Sequence, residues 1–137
     1  MDASEQIYQL KVRLLGISPM IWRRVLVPTS TALRELHGIV QVAMGWEGIH
    51  LFLFDVYAVR YGSFGLHAAD PDVPLQLFDF RKNERFSYIF DMGDHWEHEI
   101  RTEAINPHPK KSYPVCIGGS GACPPENCSG PHGYLER

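Results

Sequence analysis

The sequence lacks any long apolar stretch. No window reaches the roughly 18 apolar residues that a helix needs to cross a bilayer. The opening MDASEQIYQLKVRLLGISPM carries acidic residues early and has no continuous apolar core, so it is unlike a secretory signal. These absences predict a cytoplasmic protein that has no membrane partner.

An excess of positive charge is also missing. The formal net charge is −3, so nothing draws the whole molecule towards nucleic acid or anionic lipid. Nucleic-acid binding would need a local basic patch, for which the candidates are Arg13, Arg23, Arg24 and Arg34. Because these arginines are scattered along predicted strands and a helix, they are more typical of a solvated surface. A nucleic-acid partner is therefore not favoured by the charge.

Cysteine is scarce, and the number of cysteines is odd. The chain has three, Cys116, Cys123 and Cys128, in a C-terminal stretch rich in glycine and proline. An odd count in a chain without a secretory signal favours reduced thiols over a disulfide framework. Three interpretations stay open: a metal site, thiols packed as small apolar groups, and a catalytic thiol.

The apolar periodicity predicts a mixture of strands and one main helix. Residues 7–16 alternate between polar and apolar, and 18–28 form a second strand bounded by prolines. Residues 29–46 have helical spacing, with Thr29, Ser30 and Thr31 as candidate N-caps and Gly45 as the end. Within this helix, His37 is expected to be an exposed or capped residue.

The following segments are predicted from composition. Residues 48–62 are rich in aromatic and β-branched residues and are expected to form one central strand. Residues 63–83 mix glycine, proline and aspartate, which predicts a long loop with a helical turn around Pro74 to Phe78. The GGSG stretch at 118–121 lacks the lysine of a phosphate-binding loop and is expected to be a turn.

Residues 85–105 predict a hairpin whose register can be argued. If the loop is Met92-Gly93-Asp94, an odd length, one face becomes uniformly aromatic or apolar. The predicted cross-strand pairs are Phe90 with Trp96, Tyr88 with His98 and Phe86 with Ile100. His98 should therefore point into the core beside Trp96 and Tyr88. Asp91 and Asp94 are expected to serve the turn rather than a cation.

Two kinds of site are candidates. A zinc ion would be bound by Cys116, Cys123 and Cys128, with His98 or His132 as the fourth ligand, because zinc favours thiolate and imidazole donors. An enzyme would use Cys123 as a nucleophile activated by His98 or His50. The pocket predicted for such chemistry is formed by His50, Tyr88, Trp96 and Glu126. No catalytic residue is assigned, and whether the protein is an enzyme stays open.

Three blocks in order resemble the plasmid pRiA4b ORF-3-like family. They are GWEGIHLFLF, FSYIFDMGDHWEHEI and YPVCIGGSGACPPENCSGPHGY. The resemblance runs from about Tyr8 to Tyr134. Asn127 and Ser129 stand where the family usually has Asp and Gly, and similar proteins continue beyond Arg137 with a helical segment.

The resemblance implies a single α+β domain over residues 1–137, without that C-terminal helical segment. Its antiparallel or mixed sheet has one main helix and a C-terminal loop rich in Gly, Pro and Cys. The leading expectation for the function is an accessory or interaction domain, with an unknown protein partner, associated with plasmid or mobile-element genes. Stabilisation by zinc, argued from the cysteines and histidines above, is part of this expectation. The alternatives are a metal- or thiol-dependent enzyme acting on a nucleotide or nucleic acid, and a DNA-linked regulatory module.

Overall fold

The computed structural model describes residues 6–18, 20–46, 51–63, 68–90, 96–106 and 113–121. In these ranges the chain forms seven β-strands, one α-helix and one short 3-10 helix. The strands are β1 Ile7–Leu14, β2 Ile21–Pro28, β3 Phe52–Val56, β4 Val59–Gly62, β5 Arg85–Phe90, β6 Trp96–Ile105 and β7 Val115–Ser120. Helix α1 is Leu33–Met44, and the 3-10 helix is Leu75–Phe78. No helix in these ranges is long and apolar enough to cross a membrane.

All seven described strands belong to one antiparallel sheet, in the order β4-β3-β5-β6-β1-β2-β7. Three hairpins, β1–β2, β3–β4 and β5–β6, supply neighbours along the chain. The pairing of β1 with β6 joins the first hairpin to the third. With α1 as the one helix of any length in the described ranges, the predicted α+β class is confirmed.

Alternation along the strands gives the sheet two different faces. In β1, the side chains of Tyr8, Leu10, Val12 and Leu14 are buried, while the residues between them are partly exposed. Helix α1 buries Leu33, Leu36, Val40 and Met44 in the same apolar core. We call the side covered by α1 the inner face and the opposite side the outer face. Full burial of one such leucine or valine side chain contributes about 1.5–3 kcal/mol to folding.

Helix α1 ends as predicted but begins differently. Gly45 has a φ of 80°, a left-handed conformation that glycine adopts without strain, and it terminates the helix. The prediction of a Thr or Ser N-cap is wrong, because the N-cap is Ala32, which makes no side-chain capping bond. Instead, the Glu35 carboxylate accepts a hydrogen bond from the Ala32 amide at 2.9 Å.

The first amides of α1 find their partners in a distant segment. The Leu33 amide donates to the carbonyl of Val73, and the Arg34 amide donates to the carbonyl of Pro71, both at 3.0 Å. These bonds satisfy donors that a helix leaves free at its N-terminus. The predicted helical turn near Pro74 is confirmed as the 3-10 helix. The residues just before this helix cap α1 through the Pro71 and Val73 carbonyls.

The prediction of one strand over 48–62 is wrong. A two-residue turn at Tyr57 and Ala58 separates β3 from β4, and both residues have positive φ, 50° and 65°. Such turns usually carry Asn or Gly, so Tyr-Ala gives no sequence signal. Tertiary contacts hold the turn: the Tyr57 hydroxyl donates to Glu84 at 2.8 Å, and its ring lies 5.9 Å from that of Phe80.

Part of the cysteine-rich stretch also differs from its prediction. Residues 116–120, expected to be loop and turn, belong to β7 at the end of the described sheet. Gly119 allows close approach to β2, since a Cβ there would lie 2.8 Å from both the Arg23 Cδ and the Trp22 carbonyl oxygen. The rest of the predicted C-terminal loop lies outside the described residues.

Two glycines should respond in opposite ways to the same substitution. Gly38→Ala should raise the free energy of unfolding by about 0.5–1 kcal/mol, because Gly38 lies in α1 with open space around its Cβ position. Gly119→Ala should lower it by about 1–3 kcal/mol, because the new methyl group would meet the β2 backbone. Urea unfolding followed by tryptophan fluorescence measures both values. Equal effects of the two substitutions would contradict this account of β7.

Candidate functional site

The predicted register of the β5–β6 hairpin is confirmed. Phe90 pairs with Trp96, Tyr88 with His98 and Phe86 with Ile100. All of these side chains except that of Phe86 are fully buried, and Phe86 is nearly so. The loop between the strands, with Asp91, Asp94 and His95, lies outside the described residues.

His98 is enclosed in the core and uncharged. Desolvation lowers the pKa of His98 to about 4, and hydrogen bonds to the Tyr88 and Trp96 carbonyls offset this only partly. The imidazole Nδ1 donates to the Tyr88 carbonyl at 3.2 Å. In this neutral tautomer Nε2 is an acceptor, and it has no hydrogen-bond partner in the described structure. The nearby indole nitrogen of Trp96 is also buried without a partner there.

Two helix residues that the sequence interpretation missed complete this environment. The Gln41 amide donates to the Tyr88 hydroxyl at 2.9 Å, and that hydroxyl lies 2.6 Å from Nδ1 of His37. The expectation that His37 is exposed or capped is wrong: its ring stacks on Phe52 at 3.9 Å between centroids. Desolvation lowers the pKa of His37 to about 4, so the neutral ring accepts a hydrogen bond from the Tyr88 hydroxyl.

The signal for these residues was present in the helix spacing. His37 and Gln41 follow Leu33 at intervals of four, which places them on the buried side of α1. We call His37, Gln41, Tyr88, Trp96 and His98 the buried polar cluster. It contains two residues of the predicted pocket, Tyr88 and Trp96, whereas His50 and Glu126 lie outside the described residues. The cluster ties α1 to β5 by hydrogen bonds between neutral groups.

Two of the predicted zinc ligands, Cys116 and His98, lie in the described residues, and they are far apart. Cys116 is exposed on β7, so the interpretation as a packed apolar thiol is wrong for this residue. Cys116 pairs with Val25 of β2. His98 pairs with Leu14 of β1, which in turn pairs with Ile21, four residues before Val25 on β2. The two side chains are thus roughly 14 Å apart across the sheet and roughly 13 Å apart along it. One zinc ion cannot bind both, since its ligands lie about 2.0–2.3 Å from the metal.

Cys123, Cys128 and His132 lie outside the described residues, so the zinc site itself stays a prediction. Among the described residues, no group of three or more His, Cys, Asp or Glu side chains could hold a metal ion. The geometry changes the predicted ligand set in one respect. If the three thiols bind a metal, His132 remains as the predicted fourth ligand and His98 does not.

The four candidate arginines point to three different places. Arg23 lies on the inner face and donates to the carbonyls of Ala43 at the end of α1 and Gly121 after β7, both at 3.0 Å. Arg34 pairs with Asp72 at 2.7 Å. Only Arg13 and Arg24 share the outer face.

A groove runs between α1 and β7 on the inner side of the sheet. Its volume is about 640 Å³. One wall is a stripe of α1, and the other is the start of β7. The residues that define this α1–β7 groove include Val25, Gly38, Ile39, Val42, Pro114 and Cys116. Its apolar lining and size are typical of sites that bind small molecules or short peptides.

Comparison with known proteins identifies the family. The family model described as plasmid pRiA4b ORF-3-like protein matches residues 6–137. The chain belongs to the plasmid pRiA4b ORF-3-like family. This confirms the resemblance seen in the three sequence blocks.

Two relatives show how far the pRiA4b ORF-3-like likeness extends. Uncharacterized protein y4hQ of Sinorhizobium fredii is 35% identical over 136 residues, which cover 95% of this chain and 70% of that protein. The crystal structure of MM3350, a protein of unknown function from Methanosarcina mazei, has a TM-score of 0.85 and 33% identity. It covers 96% of this chain, which corresponds to 79% of the solved chain.

Acid should destabilise the protein through His98. The unfolded ring takes up a proton near pH 6.5 and the folded ring only near pH 4. As the pH falls from 6.5 to 4, the free energy of unfolding should therefore decrease by about 3 kcal/mol because of this group. His98→Leu should have a flatter profile between these pH values, measured by urea unfolding at each pH.

Residual pH dependence in that variant is expected from His37, which titrates in the same window. Glu103 does not interfere at the upper end. Its pKa is lowered to about 2, first by hydrogen bonding from Arg24, so its contribution is lost below pH 4.5. A His98→Leu profile as steep as that of the wild type between pH 6.5 and 4.5 would contradict the enclosed neutral ring.

If the cysteines bind zinc, the metal should be insensitive to His98. Purified protein should contain stoichiometric zinc, and Cys123→Ser should lose both the metal and thermal stability, because metal binding adds to folding free energy. His98→Leu should keep the zinc, since His98 lies far from Cys116. Elemental analysis of the three proteins decides the matter. Metal-free wild-type protein, or loss of zinc from folded His98→Leu, would count against this ligand set.

Proposed function

We infer that this pRiA4b ORF-3-like chain is an accessory interaction domain that binds an extended apolar segment of a protein partner in the α1–β7 groove. The observation that carries this inference is the groove itself, which is mostly apolar and lies beside the last described strand of the sheet. The family takes its name from a plasmid reading frame, which supports an association with mobile-element genes.

The helix wall of the groove presents apolar side chains that the packing of α1 on the sheet does not fully bury. Ile39, Val42 and Ala43 all line it, and the side chain of Val42 is 81% exposed. These residues lie three and four positions apart, so they form one stripe beside the buried stripe of α1. An exposed apolar stripe along a concave surface is a common feature of protein interaction sites.

The opposite wall suits an extended partner. β7 is the last strand of the described sheet on this side, and its residues are mostly exposed. A peptide that runs along such a strand can add main-chain hydrogen bonds while alternate side chains enter the groove. Pro114 and Val115 continue the apolar lining at the start of β7.

The enzyme alternative rests on residues outside the described ranges. Its nucleophile Cys123 and its second base His50 both lie there. His98, the other proposed base, is fully enclosed and bonded to the Tyr88 carbonyl, which supports a structural role for this imidazole. The accessory domain is therefore the function that the described geometry favours.

Blocking the groove from Gly38 is the sharpest test. A Cβ at this position has no heavy atom within 4 Å, so the side chain of Gly38→Phe can enter the groove without displacing the core. Peptides selected from a random library on the wild-type protein should bind Gly38→Phe and Val42→Ser about tenfold more weakly. The Gly38→Phe ring fills the space that the peptide would occupy, and Val42→Ser removes apolar contact area. Isothermal titration calorimetry measures the affinities.

Leu77→Ser is the matched control. Leu77 is an apolar residue that is 69% exposed on the 3-10 helix, and it does not line the groove. This variant should bind the selected peptides as the wild type does. Failure to enrich any peptide, or equal binding by Gly38→Phe, would reject the inference. Concentration-dependent dimerisation that Gly38→Phe abolishes would assign the groove to a second copy of this chain instead.

A further inference from the structure

The outer face of the sheet carries more positive charge than the chain as a whole. In the four neighbouring strands β2, β1, β6 and β5, its side chains include five cations: Lys11, Arg13, Arg24, Arg85 and Arg101. Three carboxylates, Glu97, Glu99 and Glu103, share this face. The surface is thus net positive in a protein of formal net charge −3.

Four of these cations lie in one row across the strands. The register pairs Arg24 with Lys11, Lys11 with Arg101, and Arg101 with Arg85. We call Arg24, Lys11, Arg101 and Arg85 the cation row. Neighbouring strands are about 4.8 Å apart, so the row is roughly 14 Å long. Like charges directly opposite each other destabilise a sheet, so this row costs stability.

The carboxylates beside the row balance only part of its charge. Glu103 lies 2.6 Å from Arg24 and 3.3 Å from Arg101. Glu99 is shared by Arg85 at 3.5 Å and Arg13 at 3.4 Å. Glu99 and Glu103 therefore each interact with two cations. Among the described residues, Lys11 makes no ion pair, and its ammonium lies 5.0 Å from the centroid of the Trp22 ring.

The middle of the row opens into a shallow depression. It has a volume of about 230 Å³ and is lined by Lys11, Arg13, Arg85, Arg101, Glu99 and Met20. Four cations and one carboxylate thus surround a space large enough for a phosphate group. At one end of the row, the guanidinium carbon of Arg24 lies over the Trp22 ring, 4.8 Å from the ring centroid.

We propose that the outer face binds a single nucleic-acid strand, with its phosphates along the cation row and a base near Trp22. Arginine and lysine neutralise phosphates, and an aromatic ring beside them offers a stacking partner for an unpaired base. Two of the four members of the row are recessed, which favours a narrow strand. The side chains of Arg24 and Arg101 are 30% and 34% exposed, and that of Arg85 at the end of the row is 59% exposed.

A flat lipid surface fits this face less well. Membrane-binding basic residues extend from the surface, whereas Arg24 and Arg101 of the row are about two-thirds covered by their neighbours. A duplex offers no unpaired base to Trp22. The surface is also opposite to the α1–β7 groove, so its function does not depend on the partner inferred above.

Salt-dependent binding of labelled oligo(dT) tests the proposal. The wild type should bind an oligomer of about 20 nucleotides, measured by fluorescence anisotropy, and the affinity should fall steeply between about 50 and 200 mM salt. The double variant Lys11→Gln, Arg85→Gln should bind about tenfold more weakly. Its log–log salt slope should be shallower by about 1.4, because two phosphate contacts are lost. Circular dichroism should show the same fold.

Two further variants make the result specific. Lys82→Gln removes one positive charge from an exposed residue outside the row and should leave the affinity unchanged. Glu99→Gln should strengthen binding, because it frees Arg13 and Arg85 from their carboxylate. No binding by the wild type at low salt, or equal weakening by Lys82→Gln, overturns the proposal. Tighter binding to a duplex of the same length, or to phosphatidylserine vesicles, also overturns it.

Discussion

The register of β5 against β6 is the constraint on which the rest of the structure depends. Placing Tyr88 opposite His98 directs both side chains to the inner face. The Tyr88 hydroxyl then reaches Gln41 and His37 on α1, and the Tyr88 carbonyl accepts a hydrogen bond from His98. A slip of one residue would turn all these groups to the outer face, together with the aromatic core. Because β6 also pairs with β1, the same register fixes which charges meet on the opposite side.

The buried polar cluster therefore specifies the position of the helix as well as contributing to stability. Apolar packing is non-directional, whereas hydrogen bonds require a defined geometry. The hydrogen bonds that join His37 and Gln41 to one hydroxyl therefore help to fix the position of α1, together with the bonds at its two ends. Burial also leaves the Oε1 of Gln41 and the Nε2 of His98 without partners in the described structure. Such groups are costly in a core, so the cluster exchanges some stability for a defined arrangement.

Sequence patterns predicted the elements whose apolar period was long and uninterrupted. Burial determines which positions are apolar, so the order of apolar residues predicts these elements. The examples are the alternation in 7–16, the helical spacing up to Gly45 and the hairpin register. The turn at Tyr57-Ala58 and the bond of the Leu33 amide could not be predicted, because their partners, Glu84 and Val73, are distant in sequence. The cation row could not be predicted for the same reason. Arg13 and Arg24 meet Arg85 and Arg101 only through strand pairing, which no local spacing encodes.

The cation row and the groove place different requirements on one sheet. Inner-face residues of β1 and β2 pack the core that supports the groove, while the alternate residues of the same strands carry the row. Arg23 alone among the arginines of β2 turns inwards, where it joins the end of α1 to the end of β7. This contact joins the two elements that form the groove walls and involves none of the outer charges. Conversely, a change in Glu103, which is 11% exposed beneath Arg24, would alter the row and leave the groove walls in place. Each surface can therefore be altered without the other, although alternate residues of the same strands support both.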